Sequence, residues 1–192
     1  MVLCDSSITR LAQEGMISPF VKECVRELGG KKFLSYGVGS SGYDVRLDTE
    51  FKIFSNLNTK IIDPKKFDDG CLASVEAITD EDGTYIIMPP NTYALGLTIE
   101  TFAIPRDVCA TVLGKSTYAR AGIIINATPI EPGFTGRVVI EIANTTPLPS
   151  RVYALEGIAQ FIFHQLDKPC DVSYADRAGK YNNQQTLQTP LV

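Results

Sequence analysis

The sequence predicts a mainly β domain with short N-terminal helices, and three observations carry that expectation. After residue 30, β-branched and aromatic residues recur in short runs of strand length and helical periodicity stops. Proline and glycine clusters punctuate those runs: Pro89-Pro90-Asn91, Pro105-Arg106-Asp107, Glu131-Pro132-Gly133 and Pro147-Leu148-Pro149. Strands spaced in this way, with no helices between them, build a sandwich or barrel, not a parallel βαβ sheet.

Taken in order, "DSSITRLAQEG" predicts a helix with Asp5 or Ser6 as N-cap, Ile8, Leu11 and Ala12 on one face, and Gly15 as its stop. "FVKECVREL" predicts a second helix, with Val21, Cys24, Val25 and Leu28 as an apolar stripe ahead of Gly29-Gly30. In "YGVGSSGYDVRL", Gly37, Gly39 and Gly42 match the letters GxGxxG. A dinucleotide loop needs a helix opening after those glycines, whereas "YDVRL" alternates as a strand, so they read as turn or bulge glycines. Strands are then expected at "FKIF", "KIID", "TYIIM", "YALGLTIETFAI", "CATVL", "GIIINAT", "RVVIEIAN", "RVYAL" and "IAQFIFHQL". From Cys170 onward the chain turns polar and loses periodicity, which suits either a free end or an arm that closes over something.

With 192 residues, 44% hydrophobic and 21% charged, the chain has the composition of an ordinary globular protein and can bury a core without disulfides or metal. Cys4, Cys24, Cys71, Cys109 and Cys170 include no C-x-x-C pair, so they read as reduced thiols, most of them small core residues. No apolar run approaches the ~18 residues of a membrane span, and "MVLCDSSITR" lacks the regions of a signal peptide. The expected location is cytoplasmic. A net charge of −4 disfavours nonspecific nucleic-acid binding, which depends on clustered Lys and Arg.

"LGKSTYARAGI" carries the Gly-Lys-Ser-Thr letters that close a P-loop, but position 109 is a cysteine where the first glycine belongs, and a strand follows in place of the helix. Lys115, Ser116, Thr117 and Arg120 read either as a solvated polar turn or, because they supply many donors and few acceptors, as an anion site. His164 is the only histidine and sits in the apolar "FIFHQL", where it reads as a partly buried, hydrogen-bonded residue. One histidine and scattered cysteines do not supply a local zinc site. In "RVVIEIA", Val138, Ile140 and Ile142 share one strand face, and Arg137, Val139 and Glu141 the other. Glu141 is then either a solvated strand charge or a carboxylate held near apolar walls, where its protonated form is favoured.

Together, "SSGYDVRL", "GKSTYARAGI", "TPIEPGFTGRVVIEIAN", "EGIAQ" and "SYADRAGKYNNQ" resemble the dCTP deaminases of the dUTPase-like superfamily, in the same order through nearly the whole chain. The resemblance implies a single domain over residues 1–192, a distorted β-barrel or jelly roll of the β-clip kind, with residues 174–192 as a C-terminal lid. It implies a homotrimer with sites between subunits; the charge and the lack of an apolar span already leave no nucleic-acid or membrane partner expected. The implied reaction is zinc-independent hydrolysis of dCTP to dUTP and ammonia, supplying dUTP for dUMP and dTTP synthesis, with Mg2+ carried on the triphosphate and dTTP as a candidate inhibitor.

On the same resemblance, Glu141 matches the catalytic glutamate, and Ser116 and Arg120 the pair that orients it and the water. Lys115, Ser116, Thr117, Tyr118, Ala119 and Arg120 match the nucleotide loop. Glu131 and the backbone of Val139, Ile140 and Glu141 match the base and sugar region, and Gln160, Tyr174, Lys180 and Gln184 the remaining contacts. The dUTPase branch places an aspartate where this chain has Glu131, so Glu131 reads as a sugar contact and the enzyme as a deaminase only. The alternatives are a bifunctional dCTP deaminase/dUTP diphosphatase and a nucleotide-sensing trimer without turnover.

Overall fold

The computed structural model describes residues 1–58 and 61–191. Helix α1 (Asp5–Gln13) leads to β1 (Ile17–Ser18), β2 (Val25–Leu28), β3 (Lys31–Gly39) and the long β4 (Gly42–Phe54). After a short 3-10 turn at Asp69–Cys71 come β5 (Leu72–Val75), β6 (Ile78–Asp80), β7 (Gly83–Met88), β8 (Tyr93–Ala103) and β9 (Val108–Gly114). A one-turn helix α2 (Ser116–Arg120) precedes β10 (Ile123–Asn126), β11 (Thr135–Asn144), β12 (Ser150–Tyr153) and β13 (Gly157–Gln165). Among the described residues, one antiparallel sheet follows the order β10-β11-β8-β4-β13-β9, with β1 on β8, β5 on β4, and the β2–β3 hairpin on β4. A smaller sheet has the order β12-β7-β6.

The mainly β class is as expected, but the large sheet does not close into a barrel. Its two ends, β9 and β10, are consecutive in the chain. Helix α2 and Gly122 (φ +75°) carry the backbone between them, and Gly114 packs against the Ile125 side chain without forming a ladder to it. The second expected helix is a strand. Gly29 and Gly30, at φ +60° and +80°, form the two-residue turn that suits strand twist, and Leu28 pairs with Lys31 across it. Leu28 is 66% exposed, so the apolar stripe read there has no core to face.

Helix α1 forms where expected, with Ile8, Leu11 and Ala12 buried and Gly15 (φ +100°) following its last turn. Its N-cap is Cys4, not Asp5 or Ser6. "YDVRL" and "FKIF" join into the single strand β4, and Gly39 pairs with Gly42 across a turn, as the reading of those glycines required. Ile61–Asp63 of the expected "KIID" strand are not in a strand, and Lys60 lies outside the described residues. All five cysteines are free, but only Cys71 is buried, so most of them are not core residues.

The core lies between the faces of the large sheet under α1, around the fully buried Tyr43, Phe51, Phe102, Phe161 and Phe163. Phe102 and Phe161 stack with centroids 4.9 Å apart. Gly157 opens β13 where β3 passes so closely that a Cβ there would lie 1.8 Å from the Ser35 carbonyl oxygen. Backbone cannot yield as a side chain can. Gly157→Ala should therefore cost at least about 2 kcal/mol, read as a lowered denaturant midpoint. An unchanged midpoint would contradict the close approach.

Candidate active site

Strand β11 alternates as its sequence requires: Val138, Ile140 and Ile142 are buried in the core, while Arg137, Val139 and Glu141 face the other way. Glu141 pairs with Leu95 of β8 and with Asn126 of β10, so it stands inside the sheet and not at an edge. On its side lies a cavity of about 540 Å3, walled by Phe54, Tyr93, Leu95, Phe134, Tyr174 and Tyr181. Burial in this setting raises the Glu141 carboxyl above the ordinary glutamate range, and a 3.2 Å hydrogen bond from Asn126 Nδ2 offsets part of the rise. Tyr93 is raised too, first by burial and then by the nearby Glu141 charge. Of the two readings open from spacing, the carboxylate beside apolar walls is the one the structure holds.

The hairpin before β11 brings Glu131 to the same cavity, where Arg177 forms an ion pair with it. The polar tail is docked on its own chain. Tyr174 packs on Phe134 at 5.9 Å, the Arg137 N–H donates to the Gln184 carbonyl at 2.7 Å, and a Cβ on Gly136 would meet the Gln184 backbone at 2.7 Å. Gln184 Nε2 donates to the Arg137 carbonyl at 2.9 Å, which turns its Oε1 away as a buried acceptor without a partner among the described residues. Gln188 Oε1 is in the same state, and both residues line the cavity. Unpaired buried acceptors in a cavity wall suit a ligand that brings donors. Lys180 is exposed, its ammonium 3.3 Å from the Leu191 carbonyl, and Val192, the last residue of the expected arm, lies outside the described residues.

The remaining expected residues gather elsewhere. Lys115 and Gln160 both bond Asp44, and Lys115 and Thr117 line a second cavity of about 340 Å3 with Arg26, Lys32 and Ser35. Ser116, Thr117, Ala119 and Arg120 are exposed on α2. Tyr118 is buried, its hydroxyl accepting the Tyr153 N–H at 2.9 Å, so its side chain ties α2 to β12. Ile140 is fully buried and can offer a ligand only its backbone. Since Ile123 pairs with Asn144 and Asn126 with Glu141, α2 lies beyond the Asn144 end of this ladder. Three residues of strand, roughly 10 Å, separate Glu141 from that end. Within one chain, neither Ser116 nor Arg120 lines the Glu141 cavity.

His164 is partly buried and 3.3 Å from the Thr111 hydroxyl, as read from its strand. Among the described residues, no three His, Cys, Asp or Glu side chains are grouped to hold a metal ion, and no helix is long and apolar enough to cross a membrane. Asn126, Asp44, Arg177 and Gln188 went unread in the sequence. Only Asn126 had a local signal there: a polar residue closing the apolar run "IIIN", where a strand neighbour needs a partner.

The family model for dCTP deaminase-like proteins matches residues 2–166. The chain belongs to the dCTP deaminase-like family. Among its relatives within the family, the dCTP deaminase of Pseudomonas fluorescens (strain SBW25) is 51% identical over 187 residues, 97% of this chain and 96% of the relative. That of Pelagibacter ubique (strain HTCC1062) is 53% identical over 192 residues, 100% of this chain and 99% of the relative. A crystal structure of 2'-deoxycytidine 5'-triphosphate deaminase from Agrobacterium tumefaciens superposes with a TM-score of 0.59 at 19% identity. The match covers 85% of this chain and 47% of that one, and it speaks to the fold alone.

Because the folded protein binds the Glu141 proton more tightly than the unfolded chain does, stability falls as pH rises from the unfolded value, about 4.3, through the higher folded value. Above that window the ionised carboxylate remains a standing cost. Glu141→Gln should therefore leave the unfolding midpoint unchanged at about pH 4 and raise it at about pH 7. Equal midpoints for the two proteins at both pH values would contradict the raised carboxyl.

Proposed function

We propose that this chain hydrolyses dCTP to dUTP and ammonia, with Glu141 as the proton shuttle. The observation that carries the chemistry is the Glu141 carboxyl, raised by burial and held by Asn126 in a cavity large enough for a nucleoside. Relatives named dCTP deaminase, about half identical over nearly the whole chain, support dCTP as substrate. Water attacks C4 of cytosine as Glu141 takes one of its protons and passes it to the ring nitrogen N3 while the tetrahedral centre forms. The C4–N4 bond then breaks as Glu141 carries the remaining hydroxyl proton to the departing amine, so that water and dCTP become dUTP, with its C4 carbonyl and N3–H, and ammonia. The base in this scheme is the carboxylate, and water activation needs no zinc.

Ser116 and Arg120 orient the water and Glu141 in this reading. Lys115, Thr117, Gln160, Tyr174, Lys180 and Gln184 hold the sugar and triphosphate, and Mg2+ arrives with the nucleotide as part of the substrate. Glu131 contacts the sugar. Its engagement by Arg177 supports deamination alone over a second, phosphate-directed activity. The distance between α2 and the Glu141 cavity supports a site completed by another copy, in a homotrimer. Leu113 and Ile124, about half exposed on β9 and β10 beside α2, are apolar surface that such a neighbour would cover. The tail from Tyr174 serves as the lid.

Glu141→Gln keeps the side-chain volume but cannot take a proton. It should lower kcat by about 10⁴ or more, at the upper end of general acid–base effects because one group serves twice, while dCTP still binds. With wild type, ammonia and dUTP should appear in equal amounts without dUMP or pyrophosphate, also when a zinc-selective chelator is present and Mg2+ retained. Turnover of the variant within tenfold of wild type would remove Glu141 from the chemistry. Stoichiometric pyrophosphate would establish the bifunctional alternative.

A further inference from the structure

We infer that Asp44 is a positioning residue for the triphosphate side of the site, fixing Lys115 and Gln160 in the orientation in which they meet the nucleotide. This rests on the reading of Lys115 and Gln160 as nucleotide contacts. The Asp44 carboxylate joins both: Lys115 Nζ bonds its Oδ2, and Gln160 Nε2 donates to its Oδ1 at 3.3 Å. Ser35 completes the cluster, accepting from Lys115 Nζ at 2.9 Å and donating to Asp44 Oδ2 at 3.3 Å.

The sheet makes this meeting unavoidable. Asp44 on β4 has Gly37 of β3 and Gln160 of β13 as its register partners, and Lys115 follows Gly114, the last residue of β9, which pairs with Ala159 beside Gln160. Four strands thus deliver the four side chains to one point. Asp44 is 7% exposed, and the Lys115 side chain 11%. An aspartate inside a strand has poor intrinsic fit, and a buried ion pair contributes little net stability compared with apolar packing. What such a pair does supply is geometry.

A lysine on a four-carbon stem otherwise loses much rotamer freedom when it binds, and holding it in place beforehand removes that cost from the nucleotide. Asp44 and Ser35 use two of the three ammonium donors, leaving one for an incoming oxygen in the cavity that Lys115 shares with Thr117. The Gln160 amide is turned by the same carboxylate, so its carbonyl and second N–H remain for the ligand. Lys115 is also the N-cap residue of α2, with no side-chain cap hydrogen bond, so its ammonium is committed to the Asp44 cluster and not to the helix end. Asp44 acts through these residues and touches no substrate atom.

Asp44→Asn, Lys115→Met and the double variant, compared with wild type in steady-state dCTP kinetics with Mg2+, test this. The asparagine keeps the shape and an acceptor for Gln160 but removes the charge that holds Lys115. Each single change should raise KM about tenfold or more with kcat within about threefold, and the double variant should be no more than about twofold worse than Lys115→Met alone. A purely structural aspartate would lower kcat and the melting point without that split. The inference is overturned if Lys115→Met raises KM while Asp44→Asn leaves it within about twofold, or if the two costs multiply. If Lys115→Met itself leaves KM unchanged, it is the reading of Lys115 as a nucleotide contact that fails. Should Asp44→Asn not fold, Ser35→Ala decides: KM raised about threefold at an unchanged melting point is expected, and an unchanged KM overturns the inference.

Discussion

The Arg46–Glu100 pair, its glutamate fully buried, sits where β4 changes partners, and both halves of the candidate site hang on that strand. Arg46 is the register partner of Gly157 on β13, and the next residue, Leu47, is the partner of Thr98 on β8. A strand that switches neighbours risks leaving a backbone N–H without a partner. Glu100, with no exposed surface, accepts the Arg46 N–H at 2.9 Å through Oε2 and the Arg46 Nε at 2.8 Å through Oε1. Burial raises its carboxyl, while the bonds from Arg46 work against that rise. Losing one partner of such a pair costs roughly 3–5 kcal/mol, because the other charge stays buried. Before the switch β4 carries Asp44 to Lys115 and Gln160; after it, Phe54 reaches the wall of the Glu141 cavity. A slip of one residue would turn both to the wrong face.

Within that frame, the raised carboxyl of Glu141 follows from ordinary strand geometry. The same period of two that buries Ile140 and Ile142 turns Glu141 into a cavity with aromatic walls, where its charge is poorly solvated. Asn126 is in register because β10 pairs with β11, and one amide hydrogen bond aims the carboxylate without neutralising it. The tail closes the other side through backbone pairing at Gly136 and the Tyr174–Phe134 contact. A cavity that sheds bulk water when a ligand fills it strengthens the electrostatic interactions the proposed chemistry needs.

Local pattern made much of this legible. The alternation of β11 gave the faces of Val138, Ile140 and Glu141 correctly because both faces of the strand obey one periodicity, and the Pro and Gly clusters marked the connections β7–β8, β8–β9, β10–β11 and β11–β12. The β2–β3 hairpin was misread because Val21, Cys24, Val25 and Leu28 fall at helical spacing by composition, while the deciding fact, two successive glycines at positive φ, is a turn signal that also ends helices. The Asp44–Lys115 contact was illegible because 71 residues separate the partners and only sheet register brings them together. The resemblance named the residues of one site; it did not show that a single chain keeps α2 away from Glu141.

The proposed site depends on that separation: a Glu141 cavity from one copy would be completed by Ser116 and Arg120 from another. Its most direct test mixes Glu141→Gln protein with Arg120→Ala protein, each inactive alone, under conditions that exchange subunits. If the two residues come from different copies, random reassembly rebuilds about a quarter of the sites with both intact, and dCTP deamination returns to that order. Subunits that exchange without any return of activity would place both residues in one chain's site and contradict the account.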